Sequence, residues 1–516
     1  MVCLFYCFDV AAMHCSSTAV QHYIFFCLWS SFQFTIHISL ILPIFAEKKT
    51  MDNAVIAAIA TPAGVGAIAI VRVSGKGAIE LVDRVFTSAK EGKSLTTQKG
   101  NTIHFGTIID RNNGVIDEVL VSIFRAPHSY TGEDSVEISC HGSSYIQQHI
   151  LQRLIEVGAR MAQPGEYTLR AFLNGKLDLS QAEAVADLIA SDSEANHRLA
   201  LHQLKGNLSG EIHQLREKLL NFVSLLELEL DFGEEDVEFA ERTLLRNLML
   251  EIAAYAKNLT ESFSLGNAIK KGIPVAIIGK PNAGKSTLLN KLLKEERAIV
   301  SDIAGTTRDA IEDVIVINGI SFRLIDTAGI RESQDTIEAM GIERSFQKME
   351  GATVILALLD LTANMQAEVD FLKEIVSKPG LEGKTVMALL NKADKVNSTI
   401  MEQQIAQQIA QPVRIISISA KDGSNLAELH TALTNLVMDT TKFHGDVLVS
   451  NARHFEALKQ VQTGIERALT GLENNLPNDL LSQDIREVLL YLGAITGEIT
   501  NDEVLGNIFS KFCIGK

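Results

Sequence analysis

Gly279-Lys280-Pro281-Asn282-Ala283-Gly284-Lys285-Ser286 constrains the fold of this chain more than any other stretch. It fits the Gly-x4-Gly-Lys-Ser phosphate loop and follows the apolar run 273–278, so a strand, a Gly-rich turn and a helix opening near Thr287-Leu288-Leu289 are expected. Such a turn aims successive backbone N–H groups and the positive end of a helix at one spot, which suits a polyphosphate. Lys285 then reaches the β- and γ-phosphates, and Ser286 ligates Mg2+. A strand-to-helix turn with no ligand is the plain alternative for so short a pattern.

The rest of the chain argues against that alternative. Residues 322–325 read as an apolar strand ending at Asp326-Thr327-Ala328-Gly329, where Asp326 can hold the Mg2+ shell and the Gly329 amide can meet a γ-phosphate oxygen. A second apolar strand, 386–390, delivers Asn391-Lys392-Ala393-Asp394. The Asp394 carboxylate can accept from both N1 and the 2-amino group of guanine, a donor pair that adenine lacks. A third strand, 413–418, ends at Ser419-Ala420-Lys421, suited to close the base pocket with a backbone amide at the guanine 6-oxo group. Each element falls at the C-terminal end of a strand, where open α/β sheets bind their ligands.

Two local features narrow the chemistry. Where many nucleotide switches carry a water-orienting Gln after Asp-x-x-Gly, this chain has Ile330, whose aliphatic side chain cannot position water. Ser301-Asp302-Ile303-Ala304-Gly305-Thr306-Thr307-Arg308-Asp309 is a polar loop with a Thr pair able to give one hydroxyl to Mg2+, and Arg308 reads equally well as a solvated loop charge.

These motifs, with Ile330-Arg331 after the switch Gly, resemble the G domain of the TrmE/MnmE family of bacterial tRNA uridine-modification GTPases. Ribosome-assembly GTPases share much of that pattern. The C-terminus separates them, because Cys513-Ile514-Gly515-Lys516 resembles the Cys-x-Gly-Lys ending of the TrmE/MnmE family, and Thr496-Gly497-Glu498 with residues 501–512 fits its last helix. Upstream, Ala60-Thr61-Pro62, Thr131-Gly132-Glu133-Asp134, Gly165-Glu166 and the run from Arg170 to Asp178 match its N-terminal domain. The resemblance covers about residues 51–516.

The family likeness implies a K+ ion beside the phosphates in place of an arginine finger, at positions matched by Asn282, Ser301, Ile303 and Thr306, with Thr307 joining Ser286 on Mg2+. Charge neutralisation of that kind accelerates hydrolysis by ~10³ to 10⁵ in related systems. The water-orienting acid of the family corresponds to Glu338, which on pattern alone is an exposed helix charge. The likeness also implies a reduced folate, 5-formyl- or 5,10-methylene-tetrahydrofolate, on the N-terminal domain, at positions matched by Arg72, Glu137, Lys176 and Lys516. Structural salt bridges are the alternative for each of these. Arg72 shares a strand face with Ile68 and Ile70, an unusual place for a guanidinium unless it meets an anion or an acid. Cys513 is a candidate for redox or covalent help, or an idle tail thiol. Gly64-Val65-Gly66-Ala67-Ile68-Ala69 formally fits a dinucleotide fingerprint, but it leads into a strand instead of opening a helix.

Ile212, Leu215, Leu219, Phe222 and Leu226 recur at spacings of three and four, the mark of an amphipathic helix, and Phe455, Leu458, Val461, Ile465 and Leu469 repeat it. The fold expected from motifs and likeness is therefore α/β plus α, a Ras-like P-loop G domain (272–437) inserted in an all-helical domain (175–271 and 438–516). An α+β, folate-binding-like domain (51–174) precedes it. The acid-rich run 227–241 reads as a solvated turn between helices.

Composition sets outer bounds. A chain of 516 residues, 46% hydrophobic and 21% charged, can bury about three domains. Its net charge of −16 excludes a wholly basic nucleic-acid scaffold, so any tRNA must meet a local basic patch or arrive with a partner. Four of the six cysteines lie in the first 50 residues, leaving Cys140 and Cys513, which is usage of a reducing compartment and not a disulfide framework. Residues 1–50 carry Asp9 as the only charged residue before Glu47, and they read as an early-called start, with Met51 the physiological one. A membrane span over 23–45 is weakened by Gln33 and His37.

The expectation is a cytoplasmic, K+-dependent GTPase that helps add a carboxymethylaminomethyl-type group to C5 of the wobble uridine of certain tRNAs. By the family likeness it is a homodimer working with a flavin-dependent partner resembling GidA/MnmG, without stable membrane association. The alternatives are a ribosome-assembly GTPase and a membrane-tethered GTPase switch.

Overall fold

The computed structural model describes residues 54–231, 241–296, 313–325, 351–379, 381, 384–409, 413–440 and 447–515. Period-2 patterning in the first of these segments builds a seven-stranded sheet from β1 (Ile56–Ile59), β2 (Ile68–Ser74), β3 (Phe86–Ser88), β4 (Thr102–Ile109), β5 (Val115–Phe124), β6 (Ser135–His141) and β7 (Arg160–Met161). The strand order is β3-β4-β5-β6-β2-β1-β7. All pairs are antiparallel except β1 with β7. Val71 and Val73 enter the core beneath helices α1 (Ala78–Asp83) and α2 (Ser144–Glu156), which contribute Ile79, Val82, Ile150 and Leu154. The opposite face of β2 carries Ile68, Ile70 and Arg72, the last opposite Glu137 of β6. Next comes α3 (Glu166–Leu173), whose Tyr167 is fully buried against Ile56 and Ala58.

Helices α4 (Leu179–Ile189), α5 (Glu194–Leu204), α6 (Asn207–Asp231) and α7 (Arg242–Lys271) follow. Asp178 and Gln181 form a capping box that starts α4. The apolar stripe of α6 is buried as its spacing requires, with Ile212, Leu219 and Leu226 wholly inside. The acid-rich run departs from expectation at its start, because Glu227 to Asp231 still belong to α6. Glu227 there pairs with Arg486, and Glu229 with Arg242. Ionic partners on neighbouring helices let acidic residues complete a helix that composition alone would end.

A second sheet holds β8 (Ile273–Gly279), β9 (Asp313–Ile317), β10 (Ile320–Leu324), β11 (Val354–Asp360), β12 (Thr385–Asn391) and β13 (Arg414–Ile418), in the order β13-β12-β11-β8-β10-β9. Only β9 and β10 are antiparallel, joined at Asn318-Gly319, whose φ values of 49° and 78° are those of a tight hairpin turn. Its parallel strands are apolar on both faces because both faces are covered. Helices α8 (Lys285–Glu296) and α11 (Leu426–Thr440) cover one, and α9 (Met365–Val376) and α10 (Thr399–Gln408) the other.

The chain then returns to helix, with α12 (Ala452–Glu473), α13 (Asn478–Thr496) and α14 (Asp502–Phe509). Leu458, Val461 and Ile465 of α12 and Ile485 and Leu492 of α13 share one core with α6 and α7, so helices on both sides of the second sheet in sequence pack together. Phe509 and Phe512 seat the C-terminal tail on Leu179 and Ala182. Among the described residues no helix is long and apolar enough to cross a membrane.

Candidate functional site

The phosphate loop leaves β8 at Gly279 and enters α8 at Lys285. Asn282 and Gly284 have φ values of 61° and 100°, so the loop curls back on itself. At Gly284 an added Cβ would lie 2.3 Å from Asn391 Nδ2, and glycine is the residue that allows both the turn and the approach. Ala283 is buried, while Asn282, Ser286 and Thr287 are exposed at the mouth of the loop. Lys285 Nζ donates to the carbonyls of Gly279 at 2.7 Å and Lys280 at 2.9 Å, which folds its ammonium over the loop. Turned backbone, an ammonium and a hydroxyl at a helix start fit a nucleotide polyphosphate with Mg2+.

The Asn-Lys-x-Asp and Ser-Ala-Lys segments meet that loop from the side. Asn391, at the end of β12, donates from Nδ2 to the Ala283 carbonyl at 2.7 Å and accepts the Ala420 N–H at Oδ1 over 3.0 Å. One buried amide thereby joins the phosphate loop, the Asn-Lys-x-Asp segment and the Ser-Ala-Lys segment. Ser419 Oγ donates to Asp394 Oδ1 at 2.9 Å and orients an otherwise exposed carboxylate. Lys392 takes a φ of 68°, and its ammonium bonds Asp360 at the end of β11. Burial opposes ionisation of Asp360, yet the bonds from Lys392 and Thr362 hold its carboxyl below the ordinary value. Lys421 is exposed at the rim. Sequence reasoning missed Asp360, although its place at the C-terminal end of an apolar strand was a usable signal.

Ser301, Asp302, Ile303, Ala304, Gly305, Thr306 and Thr307 lie outside the described residues, as do Asp326, Thr327, Ala328, Gly329 and Glu338. The flanks are described, with β9 beginning at Asp313 and β10 ending at Leu324.

A second cluster forms on the N-terminal sheet. Arg72 donates from Nε and Nη2 to Glu137 Oε1 at 3.0 and 2.8 Å, and from Nη1 to the Gly515 carbonyl at 3.3 Å. Its guanidinium lies over the rings of Tyr130 and Tyr167, with centroids at 5.8 and 5.6 Å. Burial raises the phenol pKa of both tyrosines. Neither tyrosine was anticipated, although Tyr130 adjoins the Thr131-Gly132 motif. Lys176 is exposed, and its stem approaches Gly132 in the same turn. Cys513 is exposed on the tail that brings Gly515 to Arg72, and Lys516 lies outside the described residues. Arg72 and Glu137 thus form the salt bridge that the sequence offered as the alternative, and two aromatic rings frame the guanidinium. The other cysteine of the described body, Cys140, is buried, and burial with nearby Asp117 pushes its thiol up to about 11.

Comparison with known proteins gives the family. The family model for the GTP-binding protein TrmE N-terminus matches residues 55–176, and that for the MnmE helical domain matches residues 179–513. The tRNA modification GTPase MnmE of Bacteroides fragilis is 55% identical over 469 residues, covering 90% of this chain and 100% of the relative. Its counterpart in Parabacteroides distasonis is 54% identical over 465 residues, with 89% and 99% covered, and that in Flavobacterium johnsoniae is 52% identical over 467 residues, with 89% and 99% covered. The chain belongs to the MnmE family of tRNA modification GTPases.

Proposed function

We propose that this chain is a K+-dependent GTPase that takes part in adding a carboxymethylaminomethyl-type group to C5 of the wobble uridine in certain tRNAs. The single observation that carries the GTP reading is the Asn391 amide, which joins the phosphate loop to both base-recognition segments. Lys285 and the loop amides bind the β- and γ-phosphates, Ser286 and Thr307 hold Mg2+, and Asp394 reads the guanine edge. Asn282, Ser301, Ile303 and Thr306 hold K+, which when bound supplies the positive charge that an arginine finger supplies elsewhere. Glu338 orients the attacking water, a task that Ile330 cannot perform.

On this reading residues 51–174 form a folate-binding and dimerisation domain, 272–437 the G domain, and 175–271 with 438–516 the helical domain around it. Arg72, Glu137, Lys176 and Lys516 hold the reduced folate, and Cys513 stands beside it. The working form is a cytoplasmic homodimer joined by a flavin-dependent partner and tRNA. Support comes from the meeting of Arg72, Glu137 and the C-terminal tail at one place.

Three measurements test the proposal. Hydrolysis in K+ should far exceed that in Na+ at equal ionic strength, and Glu338→Ala should lower kcat with little change in GTP affinity; equal rates in the two salts sink the K+ assignment. Mass spectrometry of wobble-uridine nucleosides from a deletion strain should show loss of the modified base, and an unchanged profile rules out the tRNA role.

A further inference from the structure

Two acids stand behind the nucleotide pocket, outside every motif that marks it. Asp360 ends β11 and Glu368 lies in the first turn of α9. Glu368 is 2% exposed, accepts the Asp360 N–H at 3.1 Å through Oε2, and pairs with Lys280 Nζ at 3.2 Å through Oε1. Lys280 is the phosphate-loop residue between Gly279 and Pro281, and its ammonium also donates to the Ala367 carbonyl at 2.6 Å. On the other side, Asp360 Oδ1 accepts from the Thr362 N–H and hydroxyl at 2.8 and 2.6 Å, which turns Oδ2 toward Lys392 Nζ.

The four side chains run in the order Lys280, Glu368, Asp360, Lys392, two acids flanked by two lysines. Buried carboxylates persist when paired and hydrogen-bonded, and both are satisfied here. Each lysine ammonium is thereby held on an acid. A lysine stem has many rotamers in solution, and an anchored ammonium removes most of them. The anchor matters most at Lys392, whose left-handed backbone sets the path of the chain into Asp394.

We infer that Asp360 and Glu368 are positioning residues for guanine-nucleotide binding, Asp360 presetting Lys392 and Glu368 presetting the phosphate loop through Lys280, so that the base and phosphate halves of the pocket share one acidic support. This rests on the GTP reading above. Asp360 acts through Lys392. Its loss therefore weakens binding and leaves the chemical step of the saturated enzyme unchanged.

The test is titration of the full-length protein with fluorescent GDP, beside kcat at saturating GTP and a thermal melt without nucleotide. Asp360→Asn keeps the shape and removes the charge, and should raise the GDP Kd about tenfold with kcat within about twofold. In a Lys392→Ala background the same substitution should change Kd by less than about twofold, since the partner is already gone. Glu368→Gln should weaken GDP binding independently of Lys392, and it carries the test should Asp360→Asn fail to fold. An unchanged Kd in both acid variants overturns the inference, and so does an equal loss from Asp360→Asn with and without Lys392. Wild-type protein that binds no GDP overturns the GTP reading together with it.

Discussion

Asn391 donates its side-chain amide to the Ala283 carbonyl at 2.7 Å, so a residue at the end of β12 fixes the phosphate loop at the end of β8. The same side chain, 3% exposed, accepts from Ala420 N–H. Asn391→Ala strands a buried carbonyl and a buried amide at once, with an expected loss of about 2 to 3 kcal/mol in unfolding free energy. GDP affinity should fall in parallel, since both loops lose register. Urea titration and fluorescent-GDP binding measure the two effects, and a variant as stable as wild type would remove Asn391 from the role assigned to it.

Asp394→Asn should weaken GTP binding and admit xanthine nucleotide. The new amide can donate to the 2-oxo group of xanthine, whereas the carboxylate needs the 2-amino donor of guanine. Ser419 Oγ already points at this side chain and can orient the amide as well. Parallel titration with the guanine and xanthine triphosphates decides the matter, and no gain for xanthine would relocate the base pocket.

Two glycines inside helices should respond to alanine in opposite ways. In α7 an added Cβ at Gly266 would lie 2.2 Å from the Val449 carbonyl oxygen, where the chain returns from the second sheet to the helical core. Backbone cannot yield cheaply there, so Gly266→Ala should destabilise by about 2 kcal/mol despite the better helix propensity of alanine. In α6 the same atom at Gly210 meets nothing within 4 Å, and Gly210→Ala should stabilise by about 0.5 to 1 kcal/mol. Chemical denaturation of both variants reads the contrast directly.

Acid should loosen the helical domain in two steps. Glu183 of α4 binds Arg453 and His454 of α12; burial disfavours its charge, but these partners outweigh burial and hold its carboxyl down to about 2. His454 is buried, and burial lowers its pKa below the ordinary imidazole value. A lowered histidine favours the neutral form in the fold, so its contribution is complete above about pH 6.5 and is lost as pH falls toward the folded pKa. A lowered carboxyl contributes above about pH 4.3, and that contribution, on the order of 3 kcal/mol, is lost as pH falls toward 2. Glu183→Gln should flatten the lower window. Unfolding free energies measured from pH 8 to 3 would refute the assignment if wild type and variant ran parallel.

The nucleotide-site motifs were legible early because the chemistry they imply is local. A phosphate loop needs its glycines, lysine and serine within one turn, and base recognition needs its aspartate just beyond a strand, so short motifs carry both. Apolar periodicity marked α6 and α12 as helices with buried stripes for the same reason. Other features depended on residues far apart in the chain. Nothing near Lys392 announces Asp360, and nothing near Lys280 announces Glu368; the adjacency of β11 and β12 brings the first pair together, and the packing of α9 on β8 and β11 the second. Arg72 meets the Gly515 carbonyl because Phe509 and Phe512 seat the tail on α4. Local sequence determined which residues form the phosphate-loop and base-recognition motifs. Tertiary packing decided which buried charges stand behind them, because an ion pair between separate strands and helices exists only once two surfaces have met.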